Sequence, residues 1–230
     1  MKPDRRRFLF GISLLTLAPW ARAGGLDAIT GTEATQALRD SLEKGARAAL
    51  AKLGKENGYF ANPEVKIGLP KNFAKADRIL RSLGQGKKVD ALVLSMNRAA
   101  EAAAPQAQEL VVDAVKKMTV RDAKGILTGG DDAATQYFRS TTEAQLREKL
   151  MPAIRSVTEK SGLARSYNAM SAKLVSLAGI KSELSTVEKY VNEKALDGIY
   201  TLIAEEERAI RTNPGQYAGS LLGKVFGMLK

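Results

Sequence analysis

Two groups of side chains in this 230-residue chain have types and spacings that chemistry can use. The first is Thr128-Gly129-Gly130-Asp131-Asp132, with Thr135 and Tyr137 just beyond it. The glycines free the backbone, and adjacent carboxylates precede a helix whose first amide N–H groups lack partners within the helix. That arrangement fits a small cation or polar ligand held by Asp131 and Asp132, with Thr128 nearby and Tyr137 placed to stack. It equally fits an N-cap whose acids are favoured by the helix dipole. Hard cations want about six to eight oxygens, more than two neighbouring acids supply. The cap is therefore the preferred reading, no metal site is expected, and Ala134, Tyr137 and Phe138 read first as core.

The second group is Glu205-Glu206-Glu207. Each helical step turns about 100°, so three consecutive carboxylates cannot converge. Leu196, Ile199, Tyr200, Ile203 and Ile210 form the apolar stripe, which puts Glu206 and Glu207 at its edges and turns Glu205 away. A carboxylate at a core edge needs a partner or a raised pKa. Arg98, Arg139 and Arg165 are the candidate partners. Glu206 and Glu207 then make either a half-buried ion pair that sets helix packing, the preferred reading, or one side of a paired-acid site of the kind that cleaves glycosides. Arg98 and Glu101 lie off their own helix's stripe and read as surface charges, paired with each other.

Other chemistries are excluded by composition. The chain has no histidine and no cysteine. Histidine-dependent triads, imidazole or thiolate zinc sites, disulfides and thiol nucleophiles are therefore absent. Any catalysis would rest on carboxylates, Lys, Tyr, Ser or Thr. Gly84-Gln85-Gly86-Lys87-Lys88 lacks the spacing of a phosphate-binding loop and the strand that precedes one, so it reads as a turn. No cofactor is expected.

The elements that must position these residues are helices. Ala34, Leu38, Leu42, Ala46, Ala49, Leu50 and Leu53 recur every three to four residues behind a Thr30/Glu33 capping pair. Similar stripes follow: Phe73, Ile79, Leu80 and Leu83; Val89, Leu92, Val93, Met96, Ala100 and Ala103; Leu110, Val111, Ala114, Val115 and Met118. Pro105 suits a helix start, and Thr119 with Asp122 has cap spacing. Further helices are expected over 132–139, 143–160 (kinked or divided by Pro152), 164–177, 186–212 and 216–229. Val65, Ile67 and Leu69 alternate between Pro63 and Pro70 as one short extended connector, too little for a sheet. The expectation is one all-α domain of about eight to ten short and medium helices over 24–230.

Residues 1–23 read as an export leader. Asp4-Arg5-Arg6-Arg7-Phe8-Leu9 opens an apolar run ending in Ala21-Arg22-Ala23, the three parts of a secretory signal, and the paired arginines are of the twin-arginine type. The apolar run is too short to span a bilayer. The formal net charge of +11 includes five basic side chains and one acid in that leader, leaving +7 on 24–230. A basic surface favours anionic partners, yet acids alternate with the cations and no aromatic-interleaved basic strip is present, which argues against nucleic acid. The terminal segment with Tyr217, Leu221, Leu222, Val225, Phe226 and Leu229 is amphipathic and basic, suited to docking on the core or on an anionic membrane surface.

Several motifs are specific enough to compare. Lys66-Ile67-Gly68-Leu69-Pro70, Ser95-Met96-Asn97-Arg98-Ala99-Ala100-Glu101, the stretch from Ile126 through Thr128-Gly129-Gly130-Asp131-Asp132 to Phe138, Arg165-Ser166-Tyr167-Asn168, and Ala195-Leu196-Asp197-Gly198 through Glu207 together resemble the bacterial family called domain of unknown function 4197. The resemblance covers about 200 residues and implies an envelope protein without supplying an activity, cofactor or catalytic residue. The functional expectation is an exported periplasmic or cell-envelope binding module, leaning away from enzymes, with a protein or anionic lipid partner. The alternative is a carboxylate-dependent hydrolase acting on an envelope polymer.

Overall fold

The computed structural model describes residues 31–178 and 186–214. The leader, the Thr30 half of the first cap and the amphipathic 216–229 segment lie outside the described residues. Among the described residues all regular secondary structure is helical, with no strand and a non-helical connector over 54–70. The helices are α1 (Gly31–Leu53), α2 (Ala74–Ser82), α3 (Gly86–Ala103), α4 (Gln108–Lys117), α5 (Val120–Thr128), α6 (Ala133–Lys160), α7 (Leu163–Ala178) and α8 (Val187–Thr212). Short 3-10 turns, Lys71–Phe73 and Ala104–Ala107, lead into α2 and join α3 to α4.

The apolar stripes account for the packing. Leu38, Leu42, Ala46, Ala49, Leu50 and Leu53 are buried along α1, and Leu196, Ile199, Tyr200, Ile203 and Ile210 along α8. α8 packs chiefly on α6, then on α1, with α3 also against it. Gly45 permits the close approach of α1 to α8, since a Cβ there would sit 3.3 Å from the Glu206 Cβ. Thr119 begins α5 with a full capping box: its hydroxyl accepts from the Asp122 N–H, and the Asp122 carboxylate accepts from the Thr119 N–H. These bonds hold the Asp122 carboxyl below the usual aspartate range.

Three expectations need correction. Residues 133–160 form a single helix, with Pro152 inside it. The hydroxyls of Ser140, Thr141 and Thr142 bond back to carbonyls of Tyr137 and Phe138, so this polar stretch stays helical. Pro152 sits on the exposed side, where water can satisfy the carbonyl that its missing N–H leaves free. Leu83 is 63 % exposed rather than inward, because α2 ends one residue earlier. Gly86-Lys87-Lys88 is the first turn of α3, and only the residues around Gly84 (φ +73°) make the turn.

The 54–70 segment is the packed connector expected from its alternation. Val65 and Ile67 are buried, and Tyr59 is buried completely. Its extended part has no partner strand. Asn97 on α3 replaces one: its Oδ1 accepts from the Ile67 N–H at 2.9 Å and its Nδ2 donates to the Ile67 carbonyl at 2.8 Å.

Candidate functional site

Glu207 is 3 % exposed, and every polar neighbour it has is a donor. It accepts from the N–H groups of Ala134 and Thr135 at 2.9 and 2.8 Å, and from the Thr135 hydroxyl at 2.8 Å. Arg211, one turn further along α8, donates to the same carboxylate at 2.7 Å and to the carbonyl of Ile126 at 2.9 Å. A buried carboxylate on α8 thus caps the start of α6, while its guanidinium partner caps the end of α5. Together they clamp the 129–132 turn from below. This corrects the reading of Asp132 as the cap: its side chain makes no bond to the helix N–H groups and instead accepts from Gln136 Nε2.

The same device occurs a second time. Glu101 is 4 % exposed, not a surface charge, and accepts from the N–H groups of Tyr59 and Phe60 at 3.1 Å each. Its cation is Arg98, as expected, at 2.5 Å. Each buried carboxylate therefore gathers two successive amides, Glu207 from the first turn of α6 and Glu101 from the connector, and one guanidinium from its own helix. Tyr59 in turn donates its hydroxyl to the Ala195 carbonyl at 2.8 Å. Burial, with the Glu101 charge adding to it, pushes the Tyr59 phenol far above its ordinary value. The ring lies on Gly198, where a Cβ would fall 2.5 Å from Tyr59 Cε1.

The remaining predicted residues have separate duties. Glu206 pairs with Lys52 of α1 at 2.5 Å. None of the three arginines proposed for the acidic pair serves it: Arg98 binds Glu101, and Arg139 lies over the Tyr200 ring at 4.4 Å, while the cations found are Lys52 and Arg211. Thr128 donates to the Lys124 carbonyl within its own helix at 2.9 Å. Tyr137 is half-buried, with its hydroxyl donating to the Ala114 carbonyl at 2.9 Å. Thr142 and Tyr200 share a buried hydroxyl contact at 2.9 Å.

The open chemistry lies on the opposite side of α8. Tyr190, Lys194, Asp197, Thr201, Ala204 and Arg208 alternate at four- and three-residue steps, one continuous stripe about 27 Å long. Two clefts adjoin it and share Thr201. One, about 510 Å³, separates α8 from the connector and is lined by Glu64, Lys66, Lys71, Lys194 and Asp197. The other, about 440 Å³, is formed by Asp131, Asp132, Thr201, Ala204 and Arg208. The structure therefore brings Asp131 and Asp132 together with Arg208, and sends Glu206 and Glu207 into the helix interfaces behind them. Among the described residues there is no cluster of three or more acids, histidines or cysteines placed to hold a metal, and no helix long and apolar enough to cross a membrane.

Sequence reasoning missed Asn97, Lys52 and Arg211. Two of them carried a signal. Asn97 and Glu101 stand four residues apart beside the Met96–Ala100 stripe, so polar groups at that spacing border the core. Arg211 stands four residues after Glu207. Lys52 has no such mark, because its partner is 154 residues away. No curated protein and no solved structure matches this chain. The model of the family described as protein of unknown function (DUF4197) matches residues 28–227, and the chain belongs to that family.

Proposed function

We propose that this chain is an exported, envelope-located helical module that binds a partner polypeptide along the open stripe of α8. The observation that carries the reading is the division of labour on that helix. Glu206 and Glu207 are occupied by Lys52, by Arg211 and by the amides of α6. Arg208, Asp131 and Asp132 instead line an open cleft that continues past Thr201 toward Lys194 and Lys71. Small residues on the floor (Thr201, Ala204) let another backbone approach, while charges of both signs along the walls set its register. The carboxylate-hydrolase alternative draws no opposed acid pair from Glu206 and Glu207, which face different neighbours. Export rests on the leader pattern of residues 1–23.

A photo-reactive residue at Thr201, compared with one at exposed Ser156 on α6, tests the groove in intact cells. The expected result is one discrete adduct at Thr201 that is absent at Ser156 and weakened by Lys194→Glu with Arg208→Glu. Identical adducts at both positions, or none, would remove the binding reading. The address is tested separately: the accumulated protein should begin at Gly24 in the envelope fraction, and an intact Met1 terminus on cytosolic protein would refute export.

A further inference from the structure

The corner between α4 and α5 has a composition that the groove does not explain. α4 ends at Lys117 and α5 begins at Val120, so only Met118 and Thr119 make the turn. Met118 is fully buried and anchors the corner, and Arg39 of α1 donates to its carbonyl. Ala114, on α4, receives the Tyr137 hydroxyl. The corner is thus held from below on two sides. Its outward side carries Val120, 53 % exposed and one of two large apolar side chains so exposed among the described residues. Around Val120 stand Lys116, Lys117, Arg121 and Lys124, all exposed. At about 100° per residue, Val120, Lys124, Thr128 and Arg121 span about 100° of α5, away from buried Ala123 and Ile126.

Some exposed cations elsewhere in this protein are answered by acids, while others among the described residues, including Lys87, Lys88, Arg155 and Lys189, are not. Arg47, Arg81, Arg147, Lys149 and Lys194 all have carboxylate partners. The four cations of the corner form no ion pair among the described residues. The acids in the same stretch are Asp113 and Asp122, leaving four cations against two. Asp122 is turned onto the Thr119 N–H and hydroxyl.

We infer that the α4–α5 corner docks on an anionic lipid surface, with Val120 entering the headgroup region and Lys116, Lys117, Arg121 and Lys124 meeting lipid phosphates. An apolar apex and a collar of unanswered cations are the two contributions that interfacial binding sums. A membrane suits this site because the corner is supported from below while its exposed cations and Val120 face outward. The surface lies apart from the α8 groove, and its test does not depend on that reading.

The test is co-sedimentation of the full chain with phosphatidylcholine vesicles, with and without phosphatidylglycerol. Leader and terminal segments are identical in every chain compared, so their contributions cancel. Binding should require the anionic lipid and weaken as salt screens the charges. At about 1 kcal/mol per cation near the surface, Lys117→Gln with Arg121→Gln and Lys124→Gln should lower partitioning on the order of 100-fold. Val120→Ser should weaken it further. A control that removes the exposed Arg155, Lys160 and Lys189 at the far end of α6 and start of α8 should lose much less. Thr201→Trp, which fills the groove, should change nothing here. No preference for anionic vesicles would overturn the inference, as would equal losses in the corner and control variants. Circular dichroism of each variant confirms that helicity is retained.

Discussion

Glu207 and Thr135 meet twice: one carboxylate oxygen accepts both the backbone N–H and the hydroxyl of Thr135, each at 2.8 Å. A residue 72 positions away thereby performs the task that a local cap performs elsewhere, and the acids of the 129–132 turn above it line the cleft. Glu207→Ala would strand two buried amides and remove the carboxylate that neutralises Arg211. The expected loss is about 3–5 kcal/mol, as for one partner removed from a buried pair. Glu207→Gln keeps an acceptor and should lose less. Urea unfolding of both variants, with slopes unchanged, checks the order.

Gly198 exists for the Tyr59 ring. Alanine there would gain about 1 kcal/mol of helix propensity but would put its Cβ 2.5 Å from Cε1. The clash should prevail, with a net destabilisation of about 1–3 kcal/mol, the usual range for overpacking. In a double-mutant cycle, Gly198→Ala should cost markedly less in a Tyr59→Ala background, since the obstructing ring is then gone. Additive costs would show that the ring is not what excludes a side chain at this position.

Asn97 takes the place of a neighbouring strand for the connector. Asn97→Ala leaves both the N–H and the carbonyl of Ile67 without partners, at a cost of about 1–3 kcal/mol. The more diagnostic readout is local. Amide exchange should accelerate at Ile67 and its neighbours far more than in α6, because the connector has no other ladder.

The described tyrosines predict an alkaline limit. Burial raises the pKa of Tyr59, Tyr137, Tyr167, Tyr190 and Tyr200, that of Tyr167 to about 12. A phenol that stays neutral in the fold while titrating near 10 in the unfolded chain stabilises fully below about pH 10 and progressively less above it. Denaturation midpoints should therefore fall between pH 10 and 12. Tyr167→Phe keeps the ring packed 5.0 Å from Phe73 and should resist this fall better than the parent chain. Equal alkaline losses in both would assign the effect to other groups.

The amphipathic periodicity was enough to identify the helices, the buried stripes of α1 and α8 and the absence of a sheet among the described residues, because an apolar face at three- to four-residue spacing has one way to leave water. The Thr119/Asp122 cap and the Arg98–Glu101 pair were equally legible, since both are contacts within one turn. Local pattern also misled: the polar Ser140-Thr141-Thr142 stretch looked like a break, and its hydroxyls bond back to their own helix instead. What only the tertiary structure decided is where each carboxylate points. Asp132 looked like the cap of α6, and Glu207, from the last helix of the described chain, is the cap. Glu206 looked for an arginine and found Lys52. Such choices depend on which distant amides and cations arrive beside a side chain once the helices pack. A linear pattern records the demand for a partner but not its identity, because burial makes the partner obligatory and chain topology selects it.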